Sequence, residues 1–346
     1  MKKLNARKAL LTFFSLLLAT GLFAATPLKV LQFNIWQEGT VVPGGFDAIV
    51  AEIIRTDADI VTFSEVRNYQ QTKFNERVVA ALKAKGKIFY AAYSYDSGIL
   101  SRFPLLDFVT ISPEKEDHGS VYKAVVKVGK HRLAVYTAHL DYLHAANYLP
   151  RGYHSSTWKK LPAPVTMADS VLADNHASQR DEEIRLFLTD AAQEIKRGSL
   201  VVLGGDFNEP SHRDWNVATA QLFDHNGAVI PWENTLLLEQ HGYTDSYREK
   251  YPDPVTHPGF TFPADNKAVD IAKLAWAPDA DDRDRIDFIF YRRDKRWQLQ
   301  NATLVGPSGS VVYGQRKEEQ TKDPFMKPQG IWPTDHKALL VTFTIR

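Results

Sequence analysis

Four places in the chain end an apolar, β-prone run with one or two polar residues, and two more set polar residues where such a run begins. Asn34 follows Leu31-Gln32-Phe33, and Glu65 follows Ile60-Val61-Thr62-Phe63-Ser64. His139 and Asp141 follow Val135-Tyr136-Thr137-Ala138, and Asp206-Phe207-Asn208 follows Val201-Val202-Leu203-Gly204-Gly205. Asp287 comes directly after Arg285-Ile286, and Asp335-His336 follow Thr334 ahead of the last apolar run. These are the side chains that hydrolysis of a phosphate ester needs. Carboxylate and amide oxygens suit a hard divalent cation. An imidazole or a carboxylate can take the proton of an attacking water, and N–H donors can meet phosphoryl oxygens. Taken singly each place is weak: an Asp-X-Asn after a strand is ordinarily a turn or helix cap, because these side chains bond nearby backbone N–H groups. Six together, at the ends or starts of apolar runs, point to a single crevice at strand ends.

The approaches must themselves be strands. Residues 28–36, 59–63, 88–93, 121–128, 133–138, 200–203, 286–291 and 338–345 are mostly apolar and β-prone, as buried strands are. Residues 46–55, 71–84 and 178–196 carry helical periodicity, the last with Ile184, Phe187, Leu188, Ala191 and Ile195 along one face. Strands and helices alternate, yet only Gly129-Lys130-His131-Arg132 separates 121–128 from 133–138, which suggests an antiparallel hairpin and argues against a purely parallel sheet. An α/β fold of two mixed β-sheets packed face to face, with helices outside, fits this order. Three long segments, 141–177, 254–285 and 306–334, read as loops. Their aromatic and His residues, Tyr142, Tyr148, Trp158, Phe262, Trp276 and Trp332 among them, suit either a substrate-facing rim or ordinary anchoring over the core.

With these motifs in view, residues 28–346 resemble the endonuclease/exonuclease/phosphatase superfamily, whose members include DNase I, exonuclease III, bacterial sphingomyelinase and inositol polyphosphate 5-phosphatases. The most specific elements are Gly204-Gly205-Asp206-Phe207-Asn208 and Thr334-Asp335-His336. The resemblance implies a four-layer αββα sandwich and a Mg²⁺- or Mn²⁺-dependent hydrolase. It makes Glu65 the first metal ligand, with Asn34 and Asp335 meeting the ion directly or through water. It makes His336 and Asp206 the candidate general bases, with Asp287 orienting His336, and has Asn208 donate its amide to phosphate or water. His139 stands where exonuclease III-like members have Tyr and the DNase I and sphingomyelinase branches have His. There it would donate to phosphate or protonate a leaving oxygen. Its acidic partner is either Asp96 or Asp141. Arg102 either reaches the phosphate or simply ends a strand.

The expected reaction is hydrolysis of a phosphodiester or phosphomonoester by single water attack, without a covalent intermediate. One phosphate centre serves small phosphate esters, phospholipid headgroups and nucleic acid alike. A DNase I-like endonuclease and a sphingomyelinase-like phospholipase C therefore both stay open. A catalytically inactive secreted binding module is the reading from another class, and it predicts losses at metal and base positions that this chain does not show.

Composition bounds these readings. Lys2, Lys3, Arg7 and Lys8, the apolar run at 10–19 and Gly21-Leu22-Phe23-Ala24-Ala25 make 1–25 a signal peptide, cleaved near Ala25. The apolar run is well short of the roughly 20 residues that span a bilayer. Residues 26–346 are then one catalytic domain, secreted or periplasmic. The absence of Cys excludes disulfides, thiolate metal ligands and a cysteine nucleophile. No Gly-X-Ser-X-Gly or nucleotide phosphate loop is present. Removing the four basic residues of the leader from 42 leaves 38 against 41 acidic ones, a net charge of −3. That balance weighs against tight non-specific nucleic-acid binding, though not against a local basic groove. No feature indicates a stable protein partner, and the expectation is a monomer acting on a phosphate-ester substrate.

Overall fold

The computed structural model describes residues 26–112 and 119–346, so the expected signal peptide lies outside the described residues. The first half runs through β1 (Thr26–Asn34), α1 (Gly45–Thr56), β2 (Ile60–Ser64), α2 (Phe74–Ala84), β3 (Tyr90–Ala91), β4 (Ser97–Ser101), β5 (Leu105–Thr110), β6 (Gly119–Val128) and β7 (His131–Leu140). Then come α3 (Ala168–Asn175), α4 (Arg180–Lys196), β8 (Leu200–Asp206), α5 (Glu233–Gln240), β9 (Tyr243–Asp245) and α6 (Ser246–Lys250). The last part holds β10 (Asp287–Arg292), β11 (Trp297–Val305), β12 (Gly309–Val312), β13 (Gln315–Glu318), β14 (Phe325–Met326) and β15 (Ala338–Ile345).

Two mixed sheets form, one in the order β14-β11-β15-β1-β2-β4-β3 and the other β5-β6-β7-β8-β10-β9. Leu28, Val30 and Val341 of the first meet Val126, Leu133, Val202 and Ile289 of the second in the core between the sheets. On its outer face the first sheet packs Leu31, Phe33 and Phe63 against Ile49 and Ile53 of α1 and Val78 of α2. The second packs Tyr136, Val201 and Phe290 against Ile184, Phe187 and Ala191 of α4. These are the four layers of an αββα sandwich.

The pleat places the chemistry. Successive side chains of a strand point to opposite faces, so Leu28 and Val30 share the inter-sheet face of β1 with Gln32 and Asn34. The same alternation gives Ile60, Thr62 and Ser64 on β2, Leu133, Val135, Thr137 and His139 on β7, and Leu200, Val202, Gly204 and Asp206 on β8. On each strand the inward face changes from apolar to polar near the same end. Register brings those ends level: Asn34 lies opposite Ser64, His139 opposite Asp206, and Asp206 opposite Asp287.

Local differences from expectation have physical causes. The hairpin is tighter than a four-residue turn, pairing Val128 with His131 with Gly129 at φ 58°. β11 was missed because its exposed face is polar: Gln298, Gln300 and Asn301 alternate with inward apolar residues, and a bulge follows Leu299. The 306–334 segment holds the β12–β13 hairpin and β14, and the 141–177 segment ends in α3. Residues 88–93 contribute only the two-residue β3.

Candidate active site

Two imidazoles sit at the polar strand ends, each backed by a carboxylate. His336 Nδ1 lies 2.8 Å from Asp287 Oδ2, and His139 Nδ1 lies 2.5 Å from Asp96 Oδ2. A carboxylate on Nδ1 sets the tautomer and leaves Nε2 as the working atom. Burial disfavours the charged form of both rings. For His336 the charges of Asp287 and Asp206 outweigh burial and hold its pKa up at about 10. For His139 the charge and hydrogen bond of Asp96 do the same, again to about 10. Asp141, the other candidate partner, instead accepts the Leu143 and Gln179 N–H groups.

Asp206 stands between the rings. It accepts Asn34 Nδ2 at 2.8 Å and the Asn208 N–H at 2.9 Å, and its Oδ2 lies 3.8 Å from His336 Nε2. Burial and then the charge of Asp287 push it up to about 6, against the pull of His336 and His139. Asn34 also donates to Glu65 Oε1 at 3.0 Å, while its own oxygen accepts the Trp36 N–H at 2.9 Å. A backbone N–H can only donate, so the amide is fixed with its nitrogen towards the acids. Asn208 spends one Nδ2 hydrogen on Leu140 O, 2.9 Å away, and remains half-buried at the cavity wall.

The site rests on a polar layer between the sheets. Gln32 Nε2 donates to Ser64 Oγ and reaches Asp287 Oδ1, Thr62 donates to Gln32 Oε1, and Ser64 donates to Ala138 O. Strained backbone surrounds it: Glu65 has φ 66°, and Trp36, Gln37 and Glu38 run at 40°, 57° and 60°. Non-glycine residues hold such angles only where their surroundings over-determine them. Here the Gln37 N–H donates to Glu65 Oε2 at 3.0 Å, and the buried Glu38 carboxylate binds the Arg67 N–H, Thr72 and Arg77. Sequence reasoning missed Gln32, Ser64 and Gln37. The polar break in the otherwise apolar inward face of β1 and β2 was the available signal.

Whether a hard cation fits is decided by the donor set. Asp335 is 4% exposed and forms no ion pair among the described residues. Burial, with the nearby Glu65 charge, pushes it up to about 7 despite His336. Two acids near each other, with no guanidinium or ammonium bonded to either among the described residues, are oxygen donors suited to a divalent ion. Glu65 and Asp335 therefore fit the expected role. Asp206, Asp287 and His336 also offer ligand atoms within 4.8 Å of one another. Those atoms are engaged with one another and with Asn34, an arrangement that suits proton handling.

Glu65, Asp206, Asn208, Asp335, His139 and His336 all line one cavity of ≈ 380 Å³. Tyr142, Tyr148, Trp158, Phe262 and Trp276 from the long loops line it too. Trp332 does not; it is buried against Phe33. Arg102 is remote from this cavity, pairing with Asp57 at 2.5 Å and Asp59 at 3.4 Å where β4 ends.

Residues 31–336 match the model of the Endonuclease/Exonuclease/phosphatase family. The chain belongs to that family. Uncharacterized protein F14F9.5 of Caenorhabditis elegans is 26% identical over 334 residues, 94% of each chain. Among solved structures, TDP2 of D. rerio in complex with a single-strand DNA product is similar at TM-score 0.51 and 17% identity, over 92% of this chain and 99% of that one. The human Nocturnin catalytic domain with bound sulfate gives TM-score 0.51 and 14% identity, over 92% and 95%. At these identities the likeness is one of fold, and family membership rests on the sequence match.

Proposed function

We propose that the chain is a divalent-metal-dependent phosphoric ester hydrolase that works by one water attack. The observation that carries this reading is the pair of carboxylate-backed imidazoles flanking Asp206 in the same cavity as Glu65 and Asp335, neither of which forms an ion pair among the described residues. Mg²⁺ or Mn²⁺ bound there would neutralise phosphoryl charge in the transition state. Asp206, held by Asn34 and the Asn208 N–H, is placed to accept the water proton. His336 is held cationic by Asp287, so it serves as a donor to a phosphoryl oxygen and fits less well as the resting base. His139, held by Asp96, supplies the second donor, to phosphate or to the leaving oxygen. Direct nucleophilic attack by the protein is disfavoured: the nearby Ser64 hydroxyl is spent on Ala138 O and the Asp206 N–H.

Export remains part of the proposal. Among the described residues β1 begins at Thr26, which pairs with Ile345, so cleavage after Ala25 would keep all of β1. TDP2 with its DNA product and Nocturnin with its sulfate support phosphate esters, single-strand nucleic acid included, as the substrates to try. The test is initial-rate hydrolysis of plasmid and single-strand DNA, sphingomyelin, inositol phosphates and bis-p-nitrophenyl phosphate with Mg²⁺, Mn²⁺ or chelator. Metal-dependent release is expected from at least one class. Silence on all of them with metal present would favour the binding-module reading.

A further inference from the structure

The cavity of ≈ 380 Å³ holds more than a phosphate group requires. Part of its wall comes from the 141–177 and 254–285 segments, with no contribution from strand ends. Three acids of the second segment lie within four residues of one another. Asp281 pairs with Arg283 at 2.6 Å, and Asp284 pairs with Arg151 at 2.5 Å. Asp282, which lines the cavity and is 2% exposed, has no ion pair among the described residues. It accepts the Ala277 N–H at 3.3 Å. Burial pushes it up to about 7, against the pull of the Arg151 charge.

Three rings lining the same cavity cross one another. Trp158 and Trp276 have centroids 4.3 Å apart at 68°, and Tyr148 meets Trp158 edge-on at 6.4 Å and 84°. Base stacking uses flat platforms, whereas crossed rings make a corner. Trp276 is 41% exposed and Tyr142 42%, so the corner opens to solvent. Ring faces attract cations, more strongly when the cation is desolvated, and Asp282, whose charge acts on Tyr148, adds the opposite charge.

We propose that Asp282 with Tyr148, Trp158 and Trp276 forms a subsite for an ammonium group on the organic part of the substrate, making an aminoalkyl phosphate ester the preferred class. This rests on the hydrolase reading above. The same chemistry is presented by a choline- or ethanolamine-type lipid headgroup and by a small soluble ester.

The experiment compares p-nitrophenyl phosphocholine with the p-nitrophenyl neohexyl phosphate diester, its neutral carbon isostere, and uses bis-p-nitrophenyl phosphate as the control without an ammonium. The expected kcat/KM favours the cationic ester by about tenfold or more. Asp282→Asn, which keeps the shape and an acceptor for Ala277, should remove that preference and leave the control rate unchanged. Trp276→Leu should weaken it. Equal rates on the two esters, or a preference that survives Asp282→Asn, would overturn the subsite, as would hydrolysis of the control alone. A Asp282-dependent preference for p-nitrophenyl thymidine phosphate would overturn it in favour of a nucleobase site. If none of the three esters is hydrolysed, the hydrolase reading fails, and quenching of tryptophan fluorescence by the cationic ester and its neutral isostere tests the subsite alone: tighter binding of the cation supports it, equal binding overturns it. Turnover of phosphatidylcholine vesicles, or of glycerophosphocholine only, then separates the lipid source from the soluble one.

Discussion

His336 and His139 illustrate how much of a residue's role belongs to its neighbour. Asp287→Asn would keep the hydrogen-bond geometry but remove the charge that holds His336 cationic. We predict a fall in kcat within the 10²- to 10⁴-fold typical of acid-base groups, with about the same Tm. Asp96→Asn should act likewise through His139, whereas Asp141→Asn should alter stability and leave the rate much less changed. The sequence made both histidines visible but could not choose between Asp96 and Asp141, because the choice depends on how β4 lies against β7. It also left Arg102 open, which the ion pairs with Asp57 and Asp59 explain as a strand end. A separate residue-scale test concerns His225, stacked on Trp215 at 3.7 Å. Burial, then the Arg151 charge, push it down to about 2 from an ordinary 6.5. Below pH 6.5 the unfolded chain takes a proton that the folded ring refuses. Its stabilisation is therefore full above pH 6.5 and is lost as pH falls from there towards 2, by about 1.4 kcal/mol per pH unit. Urea unfolding of wild type and His225→Phe should show the variant gaining on wild type by that slope between pH 6 and 5; parallel curves would contradict it.

At the scale of elements, the site is a by-product of strand period. An inward face that starts apolar and turns polar puts its first part in the core and its last at the site, and β1, β2, β7 and β8 do so at a common end. This part was legible, because each strand announces its own end in residue type. The Gly204-Gly205 pair shows what the motif does structurally. A Cβ on Gly204 would lie 2.2 Å from Thr62 Oγ1 in the facing sheet, and one on Gly205 would lie 2.7 Å from Ala138 O. Gly204→Ala should thus force the sheets apart beneath Asp206. We expect about 1–3 kcal/mol of destabilisation, read by denaturant unfolding, together with a lower rate; an unchanged midpoint would mean the sheets yield there. Elements whose residues do not alternate cleanly, such as β11 and the β12–β13 hairpin, were not legible. Their inward residues are too few, or too interrupted by polar ones, to stand out from loop sequence.

For the whole molecule, the two sheets close around a core reaching from Leu28 to Ile345, the first and last strands pairing directly. A chain starting at Thr26 should accordingly fold by itself, and the proposed export predicts that mass spectrometry of the mature protein finds its N-terminus near Thr26. An intact Met1 would refute cleavage. The long loops form the cavity's aromatic wall, which composition suggested but could not locate, since only the fold decides which aromatics face inward.

The proposed chemistry depends most on Glu65 and Asp335 serving as oxygen ligands for a catalytic ion. The direct measurement is the initial rate of bis-p-nitrophenyl phosphate hydrolysis as Mg²⁺ or Mn²⁺ is titrated into metal-free wild type and Glu65→Gln. A saturable rise is expected in wild type, reversed by chelator, with little or no turnover in Glu65→Gln at any metal concentration tried. Equal metal-dependent rates in the two proteins, or full wild-type activity in chelator, would contradict it.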